Sequence, residues 1–456
     1  MSSGGGPASA ASGGVAPANA AEPPTARAPG IEPGRGGGGT NSDGRFFATC
    51  PRNLEALLAA ELAGAGARAI APASGGVGFE ASWECCYRAN LVSRIATRIL
   101  WRVAAAPWRN EQDVYRLALD QPWPQWFGAE RSLRVAVNAI RAPARSLDYL
   151  TLLTKDAVCD RFRRDTGSRP NVDTRSPDIR VHLFLEGSAA SLYLDTSGEP
   201  LYKRGFRHGR VAAPLKENLA AGILMLTGWR CGEEVLLDAM CGGGTFLIEA
   251  AQMALDIAPG LGRGFALERF RLFDPGLWQR IVSEARQRRR PLARLAIHGS
   301  DRDARALAAA RENLSAAGLL EAVELRKADI LDVSPPAASG VLVANPPYGV
   351  RLEADRAALD ELYPRLGDVL KQRFAGWRCY FLSPDAQLAK RIGLRSSKRT
   401  VLFNGPIECR LLEYRIVAGS PKSAPATAPR RGEACVVPAP KPPAPARRSR
   451  DPRSRR

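Results

Sequence analysis

The sequence predicts an α/β protein whose carboxyl-terminal half is a mostly parallel sheet with helices on both faces, preceded by smaller α+β modules. Three observations carry this. From about residue 214, apolar strands alternate with stretches of helical spacing, the rhythm of a parallel sheet. Residues 45–200 instead hold shorter strands and helices and one clear hairpin, IRVHLFLEGSAASLYLDTS. The two ends of the chain are rich in Gly, Ala, Pro, Ser and Arg and poor in large apolar residues.

Taken in order, residues 1–44 cannot bury enough surface to offset ordering entropy and are expected to be disordered. Order is expected from Arg45, with FFATC a strand and Pro51 to Gly64 a helix carrying Leu54, Leu57, Leu58 and Leu62 on one face. GGVGFEAS reads as a strand and Trp83 to Leu100 as a helix. LRVAVNAI is then a strand, Asp148 to Arg164 a helix, and the hairpin turns near Gly187. This half lacks a nucleophile–base pair and a Gly-rich phosphate loop, so it reads as a binding part. Ala213 to Thr227 reads as a helix. After it come EVLLD, a helix from Phe246 to Leu255, LAIHGSD, a helix from Ala304 to Gly318, VELRKADI, GVLVANPP, a helix from Tyr363 to Phe374, and WRCYFLSP. A hairpin turning at Asn404-Gly405 closes the sheet. The expected divisions are 1–44 disordered, 45–200 binding region, 201–418 parallel-sheet domain, and 419–456 disordered basic tail.

The 456 residues are 45% hydrophobic, enough for a sizeable core. Lys and Arg number 65 against 46 Asp and Glu, a net charge of +19. Such an excess fits an acidic partner, nucleic acid first, or simply keeps a protein soluble. The tail holds ten basic residues against Glu433 and Asp451, and reads equally as an arm on RNA phosphates or as a solubiliser. Nine scattered cysteines and three separated histidines (His182, His208, His298) show no metal-ligand spacing. No metal is therefore expected, and reduced thiols fit a cytoplasmic location. No signal peptide and no membrane span are expected.

LLDAMCGGGTFLIEAA, residues 236–251, is a strand, a Gly-rich turn and a helix. It matches neither GxGxxG nor a P-loop. Asp238 ends the strand, where a carboxylate suits a ligand carrying an ammonium; otherwise the segment is a flexible turn with a capping acid. HGSDRDARALAAARENL ends its strand at Asp301, placed either for two ribose hydroxyls or for capping the next helix, a role open also to Asp303. Residues 256–294 between them read as an insertion. Asp329, in KADI, can accept a hydrogen bond from an adenine amino group.

VLVANPPYGVRL, residues 341–352, stops a buried strand at Asn345-Pro346-Pro347-Tyr348. The Asn345 amide oxygen and the Pro346 carbonyl can each accept one N–H of an exocyclic base amine, turning its lone pair out of the ring's conjugation. Two prolines hold the loop rigid, and Tyr348 offers a face for stacking the base. The base must leave its own stack to reach such a pocket. Alone, NPPYG is a rigid turn; beside a glycine loop and acids at successive strand ends, it reads as catalytic.

The set DAMCGGGT, GSDRDA, KADI and NPPYG resembles class I S-adenosylmethionine-dependent amino-methyltransferases, with their mostly parallel, Rossmann-like seven-stranded sheet. RPNVDTRSPDIRVHLFLEG, LYKRGFR and APLKENLAAGIL resemble the THUMP domain and its junction with the enzyme. The resemblance runs from about residue 45 to 417 and is nearest to bacterial 23S rRNA guanine-N2 methyltransferases, which place ferredoxin-like and THUMP domains before the catalytic domain. It implies S-adenosyl-L-methionine as cofactor. Asp238, Cys241, Gly242, Gly243, Gly244, Thr245, Asp301, Asp329, Ile330 and Asn345 would hold it, and Asn345, Pro346, Pro347 and Tyr348 would form the catalytic loop. Ala239 and Gly243 stand where the family usually has Pro and Ser; both keep the loop small. Some members carry a second methyltransferase domain where this chain has its basic tail, so one activity is expected. The competing functions are tRNA guanine-N2 methylation, DNA adenine-N6 methylation, protein glutamine methylation, and an RNA-binding assembly scaffold with a vestigial cofactor site. A THUMP-like half argues against DNA, and the basic charge against a protein substrate.

Overall fold

A computed structural model describes residues 43–206, 215–346, 353–385 and 387–417, and side chains throughout these except for 353–360. The expected disordered ends and the positions of Pro347 and Tyr348 lie outside the described residues. Two seven-stranded sheets organise the chain.

The first sheet is built from β1 (Gly44–Thr49), α1 (Glu55–Gly64), β2 (Arg68–Ala73), β3 (Gly76–Ala81), α2 (Trp83–Val92), β4 (Arg98–Pro107), α3 (Glu111–Leu119), α4 (Trp123–Trp126), β5 (Leu133–Ile140), α5 (Leu147–Thr166), β6 (Ile179–Glu186) and β7 (Ala189–Asp195). Its order is β2-β3-β1-β4-β7-β6-β5, with β5 and β6 the parallel pair. The small modules expected from the sequence are thus fused. Ten-residue β4 pairs with β1 on one side and β7 on the other. The sequence reading ran a helix through Leu100, but α2 stops at Val92. There the half-buried Glu61 of α1 accepts the N–H groups of Arg94 and Ile95 at 3.0 and 3.2 Å and the Ser93 hydroxyl. That capture draws the backbone out of the helix, and the RILWRV run that follows has the β-branched and aromatic content of a strand.

The second half continues with α6 (Glu217–Leu226), β8 (Leu236–Asp238), α7 (Thr245–Ala254), α8 (Pro275–Arg288), β9 (Ile297–Asp301), α9 (Ala304–Ala316), β10 (Glu324–Lys327), β11 (Gly340–Ala344), α10 (Glu353–Arg373), β12 (Trp377–Ser383), α11 (Leu388–Ile392), β13 (Lys398–Asn404) and β14 (Ile407–Arg415). The order is β10-β9-β8-β11-β12-β14-β13, parallel except at β14, which runs antiparallel to both neighbours. Alternate side chains enter opposite cores, as a pleated strand requires. On β11, Val341 and Val343 join the core shared with α7 and α9, while Leu342 and Ala344 join the one under α10. The expected insertion contains α8, N-capped by Asp274, whose Trp278 meets Tyr87 of α2 edge-on at 5.9 Å.

One apolar core runs from the first sheet into the second half. A buried polar cluster locks the same junction. Arg204 donates to Glu249 Oε1 at 3.2 Å and to the Leu201 and Arg94 carbonyls at 2.7 and 2.8 Å. Arg94 donates to the Ile257 and Gln252 carbonyls at 2.7 and 3.2 Å. Among the described residues, no helix is long and apolar enough to cross a membrane.

Removing one partner of a buried pair strands the other charge in a low-dielectric interior. Glu249→Gln is expected to destabilise the protein by about 3 kcal/mol in denaturant titration. Glu80→Gln, which removes the exposed pair with Arg45, should cost less than ~1 kcal/mol.

Candidate active site

Strands β10, β9, β8 and β11 lie side by side, and at or just beyond their carboxyl ends stand Asp329, Asp301, Asp238 and Asn345. Asp238 pairs with Val343 of β11 and with Gly299 of β9, so Asp238 and Asn345 end neighbouring strands, which run about 4.8 Å apart. The chain leaves β8 toward β9 on one side and returns to β11 on the other. Ligands of open α/β sheets bind in the crevice at that switch.

The glycine turn rises from this crevice. Gly242 and Gly244 have φ of 51° and 79°, a left-handed backbone that glycine adopts without a Cβ clash. The space that a Gly242 side chain would fill is open, whereas a Cβ on Gly244 would lie 3.3 Å from the Ala310 Cβ of α9. The turn is held by three bonds from outside it. Cys241 N–H donates to the Ser300 carbonyl and Gly242 N–H to Asp301 Oδ2, each at 3.0 Å. Asn313 Nδ2 donates to the Gly243 carbonyl at 2.9 Å. Thr245 opens α7, and the Gly244 carbonyl accepts its first intrahelical bond from Ile248.

Asp301 therefore clamps the loop, a duty that the sequence did not reveal, while Asp303 caps α9 by accepting from Arg305 N–H at 2.8 Å. Asn313 was missed altogether. Its signal was a polar residue on the apolar stripe of α9, in line with Leu307, Ala310 and Leu314. Asp329 accepts from Leu331 N–H at 3.0 Å and lies 3.9 Å from Arg302. The side chain of Ile330 is buried in the core beneath α10. The Cys241 thiol is pushed well above its ordinary range by burial first and then by Asp238 and Asp301, which suits packing and not nucleophilic attack.

Two acceptors at the crevice stand out, Asp238 and Asn345. Asp238 is 1% exposed, and burial pushes its carboxyl up to about 8 despite the N–H of Met240 at 3.2 Å; Asp301 adds to the rise. No cation lies beside it among the described residues. Asn345 Oδ1 is buried and has no hydrogen-bond partner among the described residues. A buried acceptor left this way costs about 1–3 kcal/mol. Both stand at the crevice, where an incoming cation and an incoming N–H would relieve them. Pro346 follows Asn345 and is buried.

Comparison with known proteins agrees with this architecture. The RlmL ferredoxin-like domain matches residues 45–100, the THUMP domain 109–195, and the RMKL-like methyltransferase domain 204–413. The ribosomal RNA large subunit methyltransferase K/L of Allochromatium vinosum is 41% identical over 383 residues, 82% of this chain and 52% of that protein. The chain thus spans about half the length of the curated relatives it matches. Among solved structures, SMU.472 in complex with SAH has a TM-score of 0.74 and 29% identity, covering 83% of this chain and 99% of its own. A predicted N6-adenine-specific DNA methylase from Listeria monocytogenes has a TM-score of 0.74 and 29% identity, covering 82% and 97%.

The Asp238 carboxyl gives a pH test. Its ordinary value is 3.8 and its folded value about 8, so between these the folded chain holds a proton that the unfolded chain has lost. Stability should therefore fall as pH rises across that window and level off above it. Asp238→Asn should flatten this dependence and raise the melting temperature at pH 8 relative to the parent, as read by thermal melts of the ligand-free protein.

Proposed function

The chain belongs, domain by domain, to the RlmL ferredoxin-like, THUMP and RMKL-like methyltransferase families, and on that premise we propose that it is an RNA methyltransferase. It uses S-adenosylmethionine to methylate the exocyclic N2 amine of a guanosine in 23S rRNA, in the cytoplasm. The observation that carries this reading is the buried Asn345 Oδ1, without a hydrogen-bond partner among the described residues, at a strand end next to Asp238. The name of the curated relatives supports large-subunit rRNA as substrate, and SAH in SMU.472 supports the cofactor. The THUMP match and the net charge of +19 favour RNA over DNA.

The residues present fit that cofactor. A buried carboxyl with no cation beside it among the described residues suits an ammonium, and the open space over Gly242 lets a ligand approach backbone. Asp238 would take the ammonium, Cys241 to Thr245 the chain beyond it, Asp301 the ribose, and Asp329 with Ile330 the adenine. When bound, the cofactor supplies a methyl group on a positively charged sulfur. The protein's own work is to position the acceptor. Asn345 Oδ1 and the Pro346 carbonyl each accept one N–H of the base amine. That removes the lone pair from conjugation and fixes its direction. By the motif alone, Pro347 stiffens the loop and Tyr348 stacks the flipped base. No general base is required, because the methylated amine sheds its proton readily to water.

The test is methyl transfer from labelled S-adenosylmethionine to 23S rRNA, 16S rRNA, tRNA and DNA in separate reactions, followed by nucleoside analysis. N2-methylguanosine in 23S rRNA is expected. Label in tRNA would keep the chemistry and move the substrate, N6-methyladenine would overturn the base assignment, and cofactor binding without label on any substrate would favour the scaffold. Asn345→Ala should lower transfer about 100-fold or more while cofactor affinity, read by calorimetry, stays within about threefold of the parent. Loss of cofactor binding in that variant would contradict the role given to Asn345.

A further inference from the structure

The region where α8 ends is strongly basic and lies away from the catalytic crevice. Within nine positions the chain exposes Arg286, Arg288, Arg289, Arg290 and Arg294. Two of the five have carboxylate partners: Arg288 pairs with Asp256 at 3.1 Å and Arg294 with Glu324 at 2.9 Å. Among the described residues, Arg286, Arg289 and Arg290 have no ion pair. Arginines in the last turn of α8 complement the helix dipole, which accounts for Arg286 and Arg288. It does not account for Arg289, Arg290 and Arg294, which follow the helix.

The cluster is fixed in place at the far side of the sheet. Arg290 N–H donates to the Leu255 carbonyl at the carboxyl end of α7, at 2.9 Å. The glycine turn sits at the other end of α7, ten residues or about 15 Å of helix away. The arginines also precede β9, so they stand at the amino ends of the strands, whereas Asp238, Asp301 and Asn345 stand at the carboxyl ends.

We propose that Arg286, Arg289 and Arg290 form a remote contact for the phosphate backbone of the substrate RNA. This rests on the RNA-methyltransferase reading above and adds to it a second point of attachment, on the opposite side of the catalytic domain from the target base. Guanidinium groups bind phosphate oxygens in pairs, and a stretch of exposed arginine with Leu292 as its large apolar residue fits a polyanion better than an apolar protein surface. A short RNA seated in the crevice cannot span the length of α7 and the sheet edge, so the contact acts only on long or folded RNA.

The test uses the full chain with Arg289→Ala/Arg290→Ala. Affinity is measured against a 23S rRNA transcript and against a short guanosine-containing oligonucleotide, each over a salt series. For the transcript, the double variant should bind roughly tenfold more weakly at 0.1 M salt, and its log K against log[salt] slope should become shallower by about 1.5. Oligonucleotide affinity, S-adenosylmethionine affinity and melting temperature should not change. Equal transcript affinity and slope in the two proteins would overturn the proposal and leave the arginines to an acidic protein surface. Equal losses on transcript and oligonucleotide would also overturn it, by moving the contact into the catalytic crevice. If the parent chain itself binds neither RNA, the functional reading fails, and with it this extension.

Discussion

The architecture depends on a charged cluster that water does not reach. Arg94 leaves the end of α2, Arg204 follows β7, and Glu249 lies on α7, yet all three are buried together. Burial holds the Arg94 guanidinium below its usual range, and the neighbouring Arg204 charge adds to that, while Glu249 works against both. Carbonyls take most of its donors, while Arg94 Nη1 and Glu249 Oε2 face each other at 3.9 Å without a hydrogen bond. Leu201, Arg94, Gln252 and Ile257 accept from the two arginines. A pair of this kind contributes little net stability, since desolvation offsets attraction. Its effect is on geometry, because its bonds tie the end of α2, the segment after β7 and α7 to one another. α7 begins at the glycine turn, so the lock that joins the first sheet to the second half also orients the loop.

The same logic explains why the loop is rigid. A turn of three glycines has high conformational entropy when free. Here Ser300, Asp301 and Asn313, from β9 and α9, each hold one backbone group of it. The strand beside β8 thus acts on the loop before any ligand arrives. Asp301 serves both as a clamp and as a carboxylate at the mouth of the crevice. Asn313, buried on α9, supplies the third anchor.

At the crevice itself two acceptors stand out. Most buried polar atoms are paired, so an unpaired acceptor in a crevice is a sign of function. Among the described residues, Asp238 has no cation beside it and Asn345 Oδ1 has no donor, at the ends of adjacent strands. Pre-formed acceptors of this sort give a ligand binding energy without the cost of reorganising the protein.

Much of this was legible in the sequence. The unbroken apolar run of GVLVA marked a buried strand, and glycines or prolines just beyond a strand end marked crevice loops, because these signals are local. Asp238, Asp301, Asp329 and Asn345 were found for the same reason: each sits at or just past a strand's carboxyl end. What the sequence could not decide depends on partners distant in the chain. The end of α2 at Val92 is set by Glu61, the fusion of two modules by β4 pairing on both edges, and the anchoring of Gly243 by Asn313. The sequence by itself determined the alternation of strands and helices around the crevice and the kinds of chemical group at the strand ends. Only the tertiary structure decided which of those groups stay paired and which are left open, because hydrogen-bond satisfaction in a buried crevice depends on neighbours brought together by folding and not by spacing.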